Sequence, residues 1–541
     1  MDYYLWNMEA KKNVVCCFLL SIGISMITSA KVKVAVYEHV VISPDDPEAL
    51  FTRQEAFQWM SKNLNVFVEQ ARKASEQGAK IIVFPEYGIT GFDHSRNSIV
   101  PFLEDIPDSS TDWNPCMEPD RFADTLVLRN LSCTAQMYKI YIVANMGDMK
   151  TCDKMTDETC PHDGRYQFNT NVIFDNNGQL VARYHKLHMY DETPLFDPAP
   201  NAEHVYFDTP FGRFGTIVCF DIMQNEPTQV LLNKYSITNL LVTSAWNVFL
   251  PFIIPQQMYS GLAKKSGINV IASNIRNSLY QMAGSGIFGN DIQSLSDVNS
   301  NGAEGILLVS EIETEEAKIY APNTIMSINS SGKVKQFINK TYEGTYRFGL
   351  NMSYAIMEGQ SGIVTSCKDD VCCVVTYQFK SRDENETIIL SVVDELLYKP
   401  GIIHMQYCAV FKCSPHTIYS CDYDDIFVIN SIFADIKIQG YFDNGVTFPL
   451  VTTIDNNELT MDMDKYTFDD KNAILHSNQF ENPLLAAVVY NTLHLDVIKT
   501  GASSNNTLHL DVIKTGASSN VAQGTTLSLS TFLLIYIYKA S

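Results

Sequence analysis

From residue 31 to about residue 335 the chain alternates short apolar runs with longer segments of helical spacing; beyond about residue 345 the alternation stops. Few architectures accept that order. Strands separated by helices pair into layered α/β sheets, whereas an unbroken series of strands makes an antiparallel sandwich. KVKVAVYEH (31–39) sets Val32, Val34 and Val36 on one face and reads as a strand. Pro47 is expected to open a helix in which Phe57, Met60, Leu64, Phe67 and Ala71 recur at intervals of three and four, with Gly78 as its stop. IIVF (81–84) is apolar throughout, as a strand covered on both faces should be. IYIVANMGD follows from Ile140, and NTNVIFD and QLVARYHK flank Asn-Asn-Gly, a hairpin signal. FGTIV, TNLLVTSAWN, GINVIASNI and EGILLVSEI complete the series. The later runs, among them ETIILSVVDELLY, GIIHMQYCAVFKC and PLLAAVVYNTLHL, have little helical period. The expected organisation is an α/β layered domain at 31–335 and a smaller, mostly β domain at 345–495.

Both ends read as processing segments. Lys11 and Lys12 precede VVCCFLLSIGISMI, and Thr28-Ser29-Ala30 offers a small-residue cleavage site, so residues 1–30 are expected to be a secretory signal. The run falls short of the roughly 20 residues that span a bilayer. Residues 496–541 are expected to be a tether and a lipid-attachment signal. NTLHLDVIKTGASSN occurs twice in tandem (491–505 and 506–520), and the apolar TLSLSTFLLIYIY lies behind a small-residue stretch. That arrangement fits a glycosylphosphatidylinositol (GPI) signal with attachment near Gly516 to Ser519.

Secretion changes what the thirteen cysteines mean, because thiols outside the cell pair unless something prevents it. Two lie in the leader, which leaves an odd number. Cys116–Cys133 and Cys152–Cys160 are the natural local pairs. Cys367, Cys372, Cys373, Cys408, Cys413 and Cys421 can connect in 15 ways, and the sequence does not choose. Cys219 is left over. Asn130, Asn329, Asn339, Asn351, Asn385 and Asn505 head glycosylation sequons. A net charge of −22 excludes a nucleic-acid partner, which needs a basic surface.

Three positions could carry chemistry. Cys219 ends the strand FGTIV, where a helix N-terminus would lower its thiol pKa; a buried structural cysteine fits equally well. Glu86 follows a buried strand and a proline in VFPEYGITGF, and a carboxylate at the mouth of an apolar site can exchange protons near neutral pH. Taken alone, it reads as a solvated loop glutamate. Lys186 closes the hairpin in VARYHKLHMYDE, where a lysine is ordinarily a surface charge. His185 and His188 are spaced for a metal, but no third ligand is apparent.

Glu after strand–Pro, Lys in YHK and Cys in a strand-ending CFD, in that order, resemble the nitrilase superfamily of carbon–nitrogen hydrolases. AVYEH, LEDIP, GRYQFNT, LVARYHK, FGTIVCFDI, TSAWN, ASNI, MAGSGI and the downstream KDDVCC are similar to the vanin and biotinidase family, over roughly residues 31–495. The resemblance implies a nitrilase-type αββα sandwich followed by a disulfide-containing β domain. By the same resemblance Glu86 is general base, Lys186 a fixed positive charge and Cys219 a nucleophile that stays reduced. It implies amide hydrolysis through a thioester without metal or cofactor. The Phe220 backbone N–H is the expected oxyanion donor, and Glu192 and Trp246 are the expected pocket residues. The substrate is then a small-molecule linear amide. A pantetheine-like amide leads and biotinyl-lysine follows; a catalytically silent glycoprotein is the rival outside enzymes. A papain-like protease is disfavoured because nothing around Cys219 resembles its signature. The pocket departs from the family at Tyr87, which replaces an acidic residue, in TSAWNVFLP, and at Arg276 after Ser273-Asn274-Ile275. Oligomeric state is not readable.

Overall fold

β1 (Ala30–Glu38) pairs in parallel with β2 (Ile81–Val83), and β2 with β3 (Tyr141–Thr151). β3 then turns antiparallel into β4 (Arg165–Phe174), and β4 into β5 (Leu180–His185). Two reversals restore direction, so β5 runs the same way as β2. The C-terminal ends of β2 and β5 therefore lie at one edge of this sheet, which β12 (Ile306–Thr314) completes in the order β12-β1-β2-β3-β4-β5. A second six-stranded sheet has the order β11-β10-β9-β8-β7-β6. Its strands are β6 (Tyr206–Thr209), β7 (Gly212–Val218), β8 (Asn239–Ser244), β9 (Asn269–Asn274), β10 (Gly286–Phe288) and β11 (Gln293–Leu295). β7, β8 and β9 are parallel. This is a computed structural model; it describes residues 30–192, 195–251, 253–289, 293–298, 301–314, 341–346, 350–397, 403–413, 429–442, 445–456 and 458–492. The expected leader, the tandem repeat, the lipid-attachment tail, Cys421, Asn329, Asn339 and Asn505 lie outside the described residues.

The two sheets face each other through Val34, Val36, Ile81, Val83, Val143 and Ile173 on one side and Phe214, Leu241, Ile271 and Ile287 on the other. Helices cover the outer faces, because β-sheets that are apolar on both sides must be buried on both. α1 (Arg53–Glu76) sets Met60, Leu64, Phe67 and Ala71 against the outward residues Ala35, Ile82 and Ile142, and α2 (Leu126–Tyr138) packs beside it. α3 (Pro255–Ser266) lies against β9 and β10. The layering is αββα, as the sequence implied.

α1 begins at Arg53, not at Pro47. Thr52 is its N-cap: the Thr52 hydroxyl accepts from the Glu55 N–H, and the Glu55 carboxylate accepts from the Thr52 N–H at 2.8 Å. That reciprocal cap satisfies two orphan donors and outweighs the proline signal. The Pro47 carbonyl instead accepts from His94 Nδ1 at 2.8 Å.

By chain contacts the protein divides into one unit of Met1–Ile222 with Glu226–Asn323 and another of Met223–Asn225 with Thr324–Ser541. Among the described residues of the second unit, β13 (Tyr342–Tyr346) to β24 (Leu484–Thr492) form seven- and five-stranded antiparallel sheets around a shared apolar core. Cys367–Cys372 closes a hairpin, and Cys373–Cys408 ties β16 (Val371–Ser381) to β18 (Ile403–Cys413), one strand from each sheet. Cys413 is also disulfide-bonded. Cys116–Cys133 and Cys152–Cys160 form as the local spacing suggested. Asn351 and Asn385 are exposed. Asn130 sits in α2 with a buried, unbonded Oδ1, and Ser132 of its sequon donates to the Gly178 carbonyl inside the fold.

Candidate active site

Cys219 is the free cysteine among the described residues. It follows β7 directly, and its φ of 45° puts a non-glycine residue in the left-handed region. Such a conformation costs about 1–2 kcal/mol and persists only where neighbours impose it. Asp221 supplies the restraint. Its carboxylate accepts from the Tyr184 hydroxyl (2.7 Å), the His188 N–H (2.9 Å) and His188 Nδ1 (2.9 Å), while its carbonyl accepts from Thr228 Oγ1 (2.7 Å). The turn so pinned presents the sulfur at the end of the parallel strands, where open α/β sheets place their ligand sites.

Glu86, two residues beyond the Phe84 that closes the β2 run, is 1 % exposed. Its Oε1 accepts from Lys186 Nζ at 2.9 Å and Asn169 Nδ2 at 2.7 Å; its Oε2 accepts from the Ala245 N–H at 2.9 Å. The Ala245 N–H also acts on the nearby Cys219 thiol, drawing its pKa down. Lys186 is no surface charge: it is 1 % exposed, and its ammonium lies between Glu86 and Glu192. Glu192 Oε2 is held by the Tyr190 and Asp191 N–H groups at 2.9 and 3.1 Å.

The electrostatics follow from burial. Burial raises the Glu86 carboxyl, further than Lys186 and Asn169 lower it. Burial alone would also depress Lys186, but Glu192 and Glu86 outweigh it and hold the ammonium above its usual range. Glu192 is pushed up by burial too, yet the Lys186 charge and the hydrogen bonds it accepts bring it below the ordinary carboxylate value. The thiol of Cys219 goes up, first through burial and then through the Glu86 charge. This corrects the expectation of a thiol lowered by a helix N-terminus. The segment after Cys219 is a five-residue 3₁₀ turn (Cys219–Met223), and desolvation dominates. Both shifts favour the uncharged forms of Cys219 and Glu86.

Glu86, Lys186, Glu192, Cys219 and Ala245 line one cavity of about 630 Å³, whose walls include Tyr87, Phe92, Tyr190, Tyr280 and Met282. Its size and aromatic lining suit a small molecule. Neither Phe220 nor Trp246 is on the cavity wall. Phe220 packs edge-on against Tyr190, and the Trp246 N–H donates to Asn274 Oδ1. His185 and His188 serve separate carboxylates: His185 bridges Asp148 and Glu203, whereas His188 meets Asp221. Sequence reasoning missed Asn145, Asn169 and the Ala245 N–H. Asn145 was visible as a polar residue after the apolar run YIVA, whereas Asn169 lies among other polar residues in RYQFNTN; a backbone donor leaves no such trace.

Comparison with known proteins places this geometry. The family described as carbon–nitrogen hydrolase matches residues 54–309, and the vanin C-terminal domain matches residues 345–495. The first unit is thus of the nitrilase, carbon–nitrogen hydrolase class. The pantetheinase of Sus scrofa is 34% identical over 472 residues, 87% of this chain and 90% of the relative. That of Homo sapiens is 35% identical over 422 residues, 78% and 82% of the two chains. The biotinidase of Bos taurus is 34% identical over 493 residues, 85% and 91%. The chain belongs to the vanin and biotinidase family of the nitrilase superfamily.

Proposed function

We propose that the protein hydrolyses a pantetheine-like linear amide through a thioester on Cys219, with Glu86 as base and Lys186 as the fixed cation. The observation that carries the reading is a single one: an unpaired, buried thiol lines the same cavity as the carboxylates and ammonium of a Glu86–Lys186–Glu192 cluster. As the sulfur bonds to the amide carbon, its proton passes to Glu86. The oxyanion that develops is met by Lys186, whose ammonium lines the cavity; Phe220, off the cavity wall, is not assigned that role. Glu86 then gives the proton to the departing amine. Water, deprotonated by Glu86, attacks the thioester, releases the acid and returns the thiol. Glu192, fixed by two backbone donors, holds the ammonium in place. One oxyanion donor is worth about 2.7–4 kcal/mol in comparable sites. Disulfides and family fit an extracellular protein, and we read the C-terminal tail as a lipid-attachment signal.

A pantetheinase and a biotinidase are each 34% identical to this chain, so biotinyl-lysine is the second candidate substrate. Purified full-length protein is expected to release cysteamine from pantetheine, and Cys219→Ser to abolish release while keeping the fold. Lysine release from biotinyl-lysine alone moves the substrate to the biotinidase type. Inertness of the folded protein towards both and towards other small amides returns the reading to a silent glycoprotein.

A further inference from the structure

Asn145 and Asn169 are buried between the sheets, at 2 % and 1 % exposure. Buried amides are costly unless fully bonded, and these two form a directed chain. The backbone N–H of Tyr87, the residue after Glu86, donates to Asn145 Oδ1 at 3.0 Å. Asn145 Nδ2 donates to Asn169 Oδ1 at 2.6 Å, and Asn169 Nδ2 donates to Glu86 Oε1 at 2.7 Å. A backbone N–H cannot be reversed, so it fixes the orientation of both amides. Flipping either one would set donor against donor or acceptor against acceptor. The loop leaves the Glu86 backbone and closes on the Glu86 side chain. The Asn169 carbonyl also accepts from the Lys186 N–H at 2.8 Å, so one residue restrains both members of the ion pair.

We propose that Asn169, oriented by Asn145, is a positioning residue that occupies Glu86 Oε1 and so reserves Oε2, the oxygen that faces the Ala245 N–H, as the atom that takes the thiol proton. The inference rests on the reading of Glu86 as base and Cys219 as nucleophile. Oε1 already accepts from both Asn169 and Lys186 and has no lone pair left for a proton. Oε2 accepts only the Ala245 N–H among the bonds described, and the same N–H draws the Cys219 thiol pKa down. Burial drives Glu86 towards protonation; a donor on Oε1 opposes that and keeps the base ionised.

The test uses the full chain. Asn169→Leu removes the donor at similar volume. We expect kcat for pantetheine, or for biotinyl-lysine if that is the substrate, to fall about 100-fold with KM within a few-fold, the scale of a misplaced reacting group. The acid limb of the kcat/KM profile should move to higher pH, because a hydrogen bond to the charged form is lost. Asn169→Asp, nearly isosteric, should move the limb the same way by charge repulsion. Iodoacetamide labelling of Cys219 against pH reads the same shift without a substrate. Asn269→Leu is the structural control: it deletes the 2.8 Å bond from Asn269 Nδ2 to Asn239 Oδ1, at the starts of β9 and β8, without touching Glu86 or the amides bonded to Asn145, and should lower stability but leave the limb in place. If Glu86→Gln and Cys219→Ser retain turnover, the reading of the site fails. If they are dead while both Asn169 variants keep the wild-type limb, the positioning role alone is overturned. Failure of both Asn169 variants to fold would also overturn it, in favour of a purely structural role.

Discussion

Lys186→Met isolates the charge at the centre of the site, since the two side chains have similar length and volume. The wild type holds two carboxylates, Glu86 and Glu192, against one ammonium, with Glu86 and Lys186 each 1 % exposed. Removing the cation leaves two negative groups without a counter-charge. Breaking a buried pair in this way costs about 3–5 kcal/mol, which for a unit of this size lowers Tm by about 6–20 °C. The variant can relieve the cost by binding protons. Both carboxylates would then have folded pKa values above the unfolded value of about 4.3. Stability tied to such groups is present below the unfolded pKa and is lost as pH rises through the folded one. The gap between variant and wild type should therefore be small near pH 5 and full near pH 8. Calorimetry at the two pH values reads it, and turnover should fall by about 10²–10³ through loss of an oxyanion partner. A variant that melts like wild type at pH 8, or whose deficit does not change with pH, would refute the placement of Lys186 as counter-charge to both carboxylates.

His39 is buried with Nε2 on Asn63 Oδ1 at 2.8 Å, and burial lowers its pKa to about 4. A group depressed from 6.5 to about 4 contributes about 3 kcal/mol at neutral pH, lost as pH falls through that window. His39→Phe should lack this acid sensitivity in urea titrations at pH 7 and 4.5; an unchanged slope counts against it. Removing Cys373–Cys408 by double serine substitution should cost about 4 kcal/mol, against about 3 kcal/mol for Cys116–Cys133, because the closed segments are 35 and 17 residues long. Equal losses on thermal unfolding would contradict the loop-entropy account.

The positions of the site residues were legible before their relations were. Glu86 after strand and proline, Lys186 at a hairpin end and Cys219 at a strand end are all strand-terminal, and strand ends follow from periodicity. Their burial was not legible. A lysine closing a hairpin is ordinarily solvated, and Lys186 is buried because the fold brings Glu86 and Glu192 to it from 100 and 6 residues away along the chain. The start of α1 was misread because a capping box, two reciprocal bonds, competes locally with a proline, and only the folded backbone shows which one forms.

The alternation of periods and the cysteine and turn residues by themselves determined the α/β character of the first unit, the β character of the second and the two local disulfides, because these depend on neighbours in the chain. The pairing of the later cysteines, the amide chain from Tyr87 to Glu86 and the upward direction of the Cys219 thiol pKa were decided only by tertiary structure. Each depends on which groups from distant strands displace water from one another, and desolvation has no one-dimensional signature.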